Sequence, residues 1–64
     1  MRLGRRAILA LIVKGYQQTQ MPVRVPDNYA SKARALVKDG FLIAEDGVCH
    51  FSPTALGKMM AEEI

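Results

Sequence analysis

The chain has 64 residues, 50% of them hydrophobic, and a formal net charge of +3. A domain of this length buries only about 60% of the surface that its unfolded chain exposes, which leaves no room for a deep active site. Its single cysteine, Cys49, excludes an internal disulfide, and its single histidine, His50, cannot complete a four-ligand structural zinc site. We therefore expect one domain over residues 1–64 with no metal or cofactor, stabilised by oligomerisation. An unpaired cysteine also suits the reducing cytoplasm.

The charges are divided unevenly between the two parts of the chain. Residues 1–38 carry eight basic side chains and one acidic one, and residues 39–64 carry one basic and five acidic ones, so net charges of +7 and −4 make up the total of +3. A basic first part favours a polyanionic partner such as nucleic acid. An uneven distribution without functional meaning is the alternative interpretation.

The first predicted element is a helix over about residues 3–14, with Gly15 as its left-handed C-cap. Its apolar run, residues 7–13, is too short to cross a bilayer, so no membrane contact is expected. These apolar side chains surround almost the whole helix, which is therefore either buried centrally or in contact with a second subunit. We favour a second subunit because so small a domain has little with which to cover the helix. The predicted homodimer interface comprises Ile8, Leu9, Ile12 and Val13.

A short edge strand and a second helix follow. Residues 23–25 alternate valine with arginine between two prolines, a pattern that predicts a very short edge strand. Pro26 and Asp27 suit the start of a helix that we expect over residues 27–38. The stripe of this helix that faces the core comprises Tyr29, Ala30, Ala33, Leu36 and Val37.

A hairpin signal follows the second helix directly. Gly40 is expected to end that helix in a Schellman motif, with Phe41 placed to contact Leu36. Asp46-Gly47 then predicts a hairpin with a two-residue type I′ turn. The register that this turn sets pairs Leu42 with Phe51, Ile43 with His50, Ala44 with Cys49, and Glu45 with Val48.

This register assigns the hairpin side chains to two faces. The inner, apolar face is expected to pack on the helices and comprises Leu42, Ala44, Cys49 and Phe51. Cys49 is then a small buried residue. His50 is expected to be half-exposed on the outer face with no catalytic partner, and Glu45 and Asp46 to be solvated at the tip.

The last helix is expected to begin near Ser52 or Thr54, either of which can serve as its N-cap. Its apolar side comprises Leu56, Met59, Met60 and Ile64. We expect the two methionines to fill the core, and an exposed contact surface is the alternative. The chain contains no glycine-rich phosphate loop and no nucleophile next to a base. We predict that it is not an enzyme.

Two segments resemble winged-helix repressors. Residues 36–42, Leu-Val-Lys-Asp-Gly-Phe-Leu, resemble the junction at which a recognition helix ends and the wing begins. Residues 51–58, Phe-Ser-Pro-Thr-Ala-Leu-Gly-Lys, are similar to the exit of the wing, where a threonine-capped helix carries a glycine in its first turn. The resemblance covers about residues 26–60. It implies a minimal winged helix of the α+β class, with the order α-β-α-β-β-α and a short hairpin.

The resemblance also implies a function, that of a small prokaryotic or phage-type transcriptional regulator. Helix 27–38 is then the recognition helix in the major groove of double-stranded DNA. Short polar side chains near its start would meet base edges, and basic ones would reach phosphates. The implied DNA-binding residues are Asn28, Ser31, Lys32, Arg34, Ala35, Lys38, Arg5 and Arg6. A solvated helix face with no partner is the alternative interpretation of these residues.

The chain departs from the winged-helix pattern in two places. The span between the first two helices contains prolines and leaves no room for a full positioning helix. The tip of the wing carries Glu45 and Asp46, which phosphate would repel. A second hypothesis is therefore a winged-helix-like module that binds a protein and not DNA, such as a phage protein that modulates a host protein.

Overall fold

The structure is a computed structural model and describes residues 4–46 and 49–62. It contains α1 (Arg5–Thr19), β1 (Val23–Arg24), α2 (Asp27–Lys38), β2 (Leu42–Ala44), β3 (His50–Pro53) and α3 (Ala55–Glu62). The strands form one antiparallel sheet in the order β1-β3-β2. This confirms the predicted α+β class and the predicted order of the elements, an arrangement that is consistent with a minimal winged-helix-like fold.

α1 is longer than predicted because Gly15 does not end it. The helix continues to Thr19, and its C-cap is Gln20, whose φ of 57° is left-handed. A Cβ added at Gly15 would lie 3.0 Å from the Cγ2 of Val23. This glycine lies inside α1 and allows β1 to approach the side of the helix. Its role is therefore in packing and not in ending the helix.

The core surrounds α1. Ile8, Leu9, Ile12 and Val13 are all at most 5% exposed and pack with residues from β1, α2 and the hairpin. The prediction that these four side chains form a dimer interface is wrong, because they are buried within one chain. Central burial, the alternative interpretation of this helix, is what the structure shows. Leu11, on the other side of α1, is 55% exposed.

α2 has the bounds that its end signals predict, and it ends in the predicted Schellman motif. The N–H of Phe41 donates to the carbonyl of Leu36 at 2.9 Å, and the N–H of Gly40 donates to that of Val37 at 3.0 Å. Gly40 has the positive φ, 89°, that this ending requires. The stripe that faces the core is also as predicted, with Ala30, Ala33 and Leu36 buried and Tyr29 and Val37 partly buried.

The hairpin register differs from the predicted one by two residues. Leu42 pairs with Pro53, Ile43 with Ser52, and Ala44 with Phe51. The N–H of Glu45 donates to the carbonyl of His50 at 2.9 Å, so the two strands are joined by a longer connection than the predicted two-residue turn, and that prediction is wrong. Gly47 and Val48 lie outside the described residues. Because the shift is even, Leu42 and Phe51 keep their predicted inward orientation and are buried.

Thr54 joins α3 to the end of α2. Its hydroxyl accepts the N–H of Gly57 at 3.1 Å, which makes Thr54 the N-cap, and donates to the carbonyl of Gly40 at 2.7 Å. Its backbone N–H also donates to the carbonyl of Phe41 at 3.0 Å. Ser52, the other predicted cap, lies within β3. One residue thus caps a helix and fixes that helix against the preceding turn.

Thr54→Ala is expected to lower the free energy of unfolding by about 1–2 kcal/mol, since loss of a threonine cap alone costs about 0.5–2 kcal/mol. The midpoint of thermal unfolding, followed by circular dichroism, should fall by roughly 4–16 °C in a domain of this size. Thr54→Ser keeps the hydroxyl and should retain most of the stability. Equal losses in the two variants would show that the hydroxyl is not responsible.

α3 packs on the rest of the domain with less of its surface than predicted. Met60 packs against the core, but Leu56 is 48% exposed and Met59 is 61% exposed. The prediction of core filling is therefore right for Met60 and wrong for Met59. Ile64 lies outside the described residues. Among residues 4–46 and 49–62, no helix combines the length and apolar character needed to span a bilayer.

Candidate nucleic-acid interface

The face of α2 that points away from the core carries the side chains predicted to contact DNA. The buried stripe of α2 fixes the rotation of the helix, and this leaves Asn28, Ser31, Arg34 and Lys38 exposed. Their spacings of three, three and four residues place them in one row along the helix. The short polar side chains occupy the first half of the row, and the cationic ones occupy the second half.

Two other predicted contact residues on α2 are less accessible. Lys32 and Ala35 are both half-buried. Ala35 lies on the arc of the exposed row. Lys32 lies at the flank of that arc. The structure therefore brings Asn28, Ser31, Arg34 and Lys38 together as an exposed row, with the half-buried Ala35 inside its arc and Lys32 at its flank.

Arg5 and Arg6 lie beside the end of α2. Both are exposed in the first turn of α1. Together with Leu36 and Asp39 they line a shallow cavity between the start of α1 and the end of α2. The two arginines thus bring positive charge to the end of α2, where Asp39 contributes a negative one.

Arg24 is a basic residue that sequence reasoning did not assign to the interface. It is exposed on β1, two residues before the N-cap of α2 at Pro26. It therefore adds positive charge near the start of the exposed row. The sequence feature that could have identified Arg24 is its position, since it is the only basic residue between the first two helices.

The acidic residues of the hairpin have partners in the structure and are not simply solvated. The hydroxyl of Ser52 donates to Glu45 Oε1, across the hairpin. Asp46 Oδ1 accepts the backbone N–H groups of Cys49 and His50, each at 3.0 Å. The Asp46 carboxylate therefore closes the loop and stabilises the register that replaces the predicted one.

Asp46, Cys49 and His50 form a cluster at the tip of the hairpin. His50 is half-exposed, as predicted, and its Nδ1 lies 2.6 Å from Asp46 Oδ2. Cys49 is half-buried and lies outside the strands, so its predicted place on the inner face is wrong. Its Sγ lies 3.4 Å from His50 Nδ1 and 3.7 Å from Asp46 Oδ2. The signal for this cluster was the local spacing Asp-x-x-Cys-His.

Comparisons with protein-family models, with curated proteins and with solved structures find no match to this chain.

Proposed function

We propose that this chain is a small winged-helix DNA-binding protein, a cytoplasmic transcriptional regulator that inserts α2 into the major groove of duplex DNA. The observation that carries the proposal is the exposed row on α2, with two hydrogen-bonding side chains followed by two cationic ones. The opposite side of the helix is anchored in the core by Ala30, Ala33 and Leu36. A recognition helix needs this combination, since it must be rigidly held and must present polar side chains outward.

The residues of the row have distinct roles in this proposal. Asn28 and Ser31 donate and accept hydrogen bonds at base edges, because they lie near the N-terminal end, where recognition helices contact bases. Arg34 and Lys38 contact phosphates on the same groove wall. Arg5 and Arg6, beside the end of α2, contact the phosphates that follow.

A second candidate function is a protein-binding module of the phage-modulator type, without DNA binding. The observation that favours it is the exposure of Leu56 and Met59, which lie three residues apart and therefore on one side of α3. Ile43 on the outer side of the sheet is 49% exposed as well. The carboxylates of Glu45 and Asp46 on the hairpin suit a protein partner better than a phosphate backbone.

The DNA proposal predicts binding that depends steeply on salt. We expect mixed-sequence duplex DNA to bind in the micromolar range or better at low salt, as measured by fluorescence anisotropy. Arg34→Ala and Lys38→Ala should each weaken binding to all sequences. Each should also reduce the slope of log affinity against log salt by about one unit, since each removes one phosphate contact.

Lys58→Ala is the matched control, because it removes the same charge at a distant place. Lys58 lies on α3 with its Nζ 5.4 Å from the ring centroid of Tyr16, near the other end of α1 from Arg5. It should leave the salt slope unchanged. Absence of DNA binding at low salt would reject the proposal and favour the protein-binding module. If Arg34→Ala, Lys38→Ala and Lys58→Ala had equal effects on the salt slope, α2 would not be the element that contacts the phosphates.

A further inference from the structure

The cluster at the hairpin tip contains three different metal-binding groups. Asp46, Cys49 and His50 contribute a carboxylate, a thiol and an imidazole whose potential ligand atoms all lie within 4.8 Å of one another. We propose that these three side chains form a binding site for a transition-metal ion, with Zn²⁺ as the expected occupant. This inference is independent of the proposed DNA binding.

The distances within the cluster fit a tetrahedral ion. With metal bonds of about 2.3 Å to sulfur and about 2.0–2.2 Å to nitrogen and oxygen, tetrahedral ligand atoms lie roughly 3.4–3.6 Å from one another. Cys49 Sγ is 3.4 Å from His50 Nδ1 and 3.7 Å from Asp46 Oδ2. Only the 2.6 Å separation of His50 Nδ1 and Asp46 Oδ2 has to widen. That change replaces one hydrogen bond with two metal bonds.

The backbone holds the carboxylate in position for this role. Asp46 Oδ1 accepts the N–H groups of both other ligand residues, which leaves Oδ2 facing His50 Nδ1 and Cys49 Sγ. The bond from the N–H of Glu45 to the carbonyl of His50 closes the loop at its base. Hydrogen bonds that orient ligands in this way typically raise metal affinity by about 10–100-fold.

The donor set selects the class of metal. One thiolate with one imidazole favours Zn²⁺ and related transition metals over Mg²⁺ and Ca²⁺, which prefer oxygen ligands only. Three protein ligands leave the fourth tetrahedral position to water. The His50 and Asp46 side chains are 44% and 40% exposed, so an ion and that water can reach the site from solvent. On binding, the Cys49 thiol releases its proton to solvent and becomes the thiolate ligand. His50 binds as the neutral tautomer that has its proton on Nε2, so the proton shared by Nδ1 and Asp46 Oδ2 leaves Nδ1 by exchange with solvent.

Cobalt absorption and zinc calorimetry test the site in the full chain, kept reduced with a non-thiol reductant. Co²⁺ should produce a thiolate-to-cobalt charge-transfer band in the near ultraviolet together with the intense visible bands of tetrahedral coordination. Zn²⁺ should displace the cobalt with a stoichiometry of one ion per chain. Absence of these bands at millimolar cobalt, or octahedral bands only, would overturn the proposal.

Variants identify the ligands. Cys49→Ser should abolish the charge-transfer band, and His50→Gln and Asp46→Asn should each reduce zinc affinity by about tenfold or more. Glu45→Gln is the matched control, because this neighbouring carboxylate bonds to Ser52 on the hairpin and not to the cluster. Circular dichroism should show that each variant is folded. Zinc affinity that is unchanged in both Cys49→Ser and His50→Gln would overturn the proposal.

Discussion

Leu9→Glu is expected to unfold the protein at room temperature. Leu9 is 2% exposed in the core around α1. Loss of a buried leucine costs about 2–5 kcal/mol, and a carboxylate at the same place adds several kcal/mol more because its charge loses hydration in the apolar core. A chain of this length has a total stability of about 3–10 kcal/mol. Circular dichroism should therefore show loss of helix in the absence of denaturant.

Leu11→Glu is the matched control, because it makes the same change two residues away on the other side of α1. Leu11 is 55% exposed, so its replacement should leave the fold intact. The pair also tests the homodimer, which stays a prediction. Since Ile8, Leu9, Ile12 and Val13 are buried in the chain, a dimer formed through α1 can use only the exposed side of that helix.

Sedimentation of the wild type and of Leu11→Glu tests whether the protein is a dimer and whether the exposed side of α1 forms the interface. A dimeric wild type that Leu11→Glu converts to a folded monomer would place the interface on the exposed side of α1. A wild-type monomer would reject the dimer. A folded Leu9→Glu variant would contradict the core described above.

The parts of the fold that were predicted correctly depend on local signals. The bounds of α2 follow from Asp27 in its first turn and from Gly40, whose left-handed conformation ends the helix. The exposed row on α2 follows from the buried stripe alone, since the orientation of one face fixes the other. These residues act through neighbours that are close in the sequence, so the sequence is sufficient to place them.

The errors occur where a distant or side-chain contact decides the structure. Gly15 carries the signal of a helix end, but it lies inside α1, where a Cβ would come within 3.0 Å of the Val23 side chain. Asp46-Gly47 carries the signal of a tight turn, but the Asp46 carboxylate bonds to the backbone of Cys49 and His50 and gives a longer loop. Neither competing contact can be inferred from turn or cap preferences.

The metal-binding cluster was overlooked for a related reason. One cysteine and one histidine are too few ligands for a structural zinc site, and the sequence gives Asp46 no partner that would distinguish it from a solvated charge. Only the actual loop places that carboxylate within 4 Å of both other groups. In the predicted register Cys49 would face the core, away from His50 on the outer face. The register error and the missed cluster therefore have one cause.

Gly57→Ala is expected to destabilise the protein strongly, although alanine is the better helix former. A Cβ at this position would overlap the carbonyl oxygen of Phe41 and would lie 3.0 Å from its carbonyl carbon. That carbonyl cannot move away freely, because it accepts the backbone N–H of Thr54 at 3.0 Å. The alanine methyl must therefore displace α3 from the turn after α2 or break the hydrogen bond that joins them.

Overpacking of this kind typically costs about 1–3 kcal/mol, which corresponds to roughly 5–20 °C in the thermal midpoint of so small a domain. Gly4→Ala is the matched control, because a Cβ at Gly4 has no atom within 4 Å. Urea and thermal unfolding followed by circular dichroism should show a large loss for Gly57→Ala and only a smaller loss for Gly4→Ala, since Gly4 is the N-cap of α1 and alanine is a poorer cap than glycine. Equal stability of the two variants would mean that α3 does not approach Phe41 so closely. In that case the glycine in the first turn of α3, one of the residues that resemble the winged-helix pattern, would have no packing role.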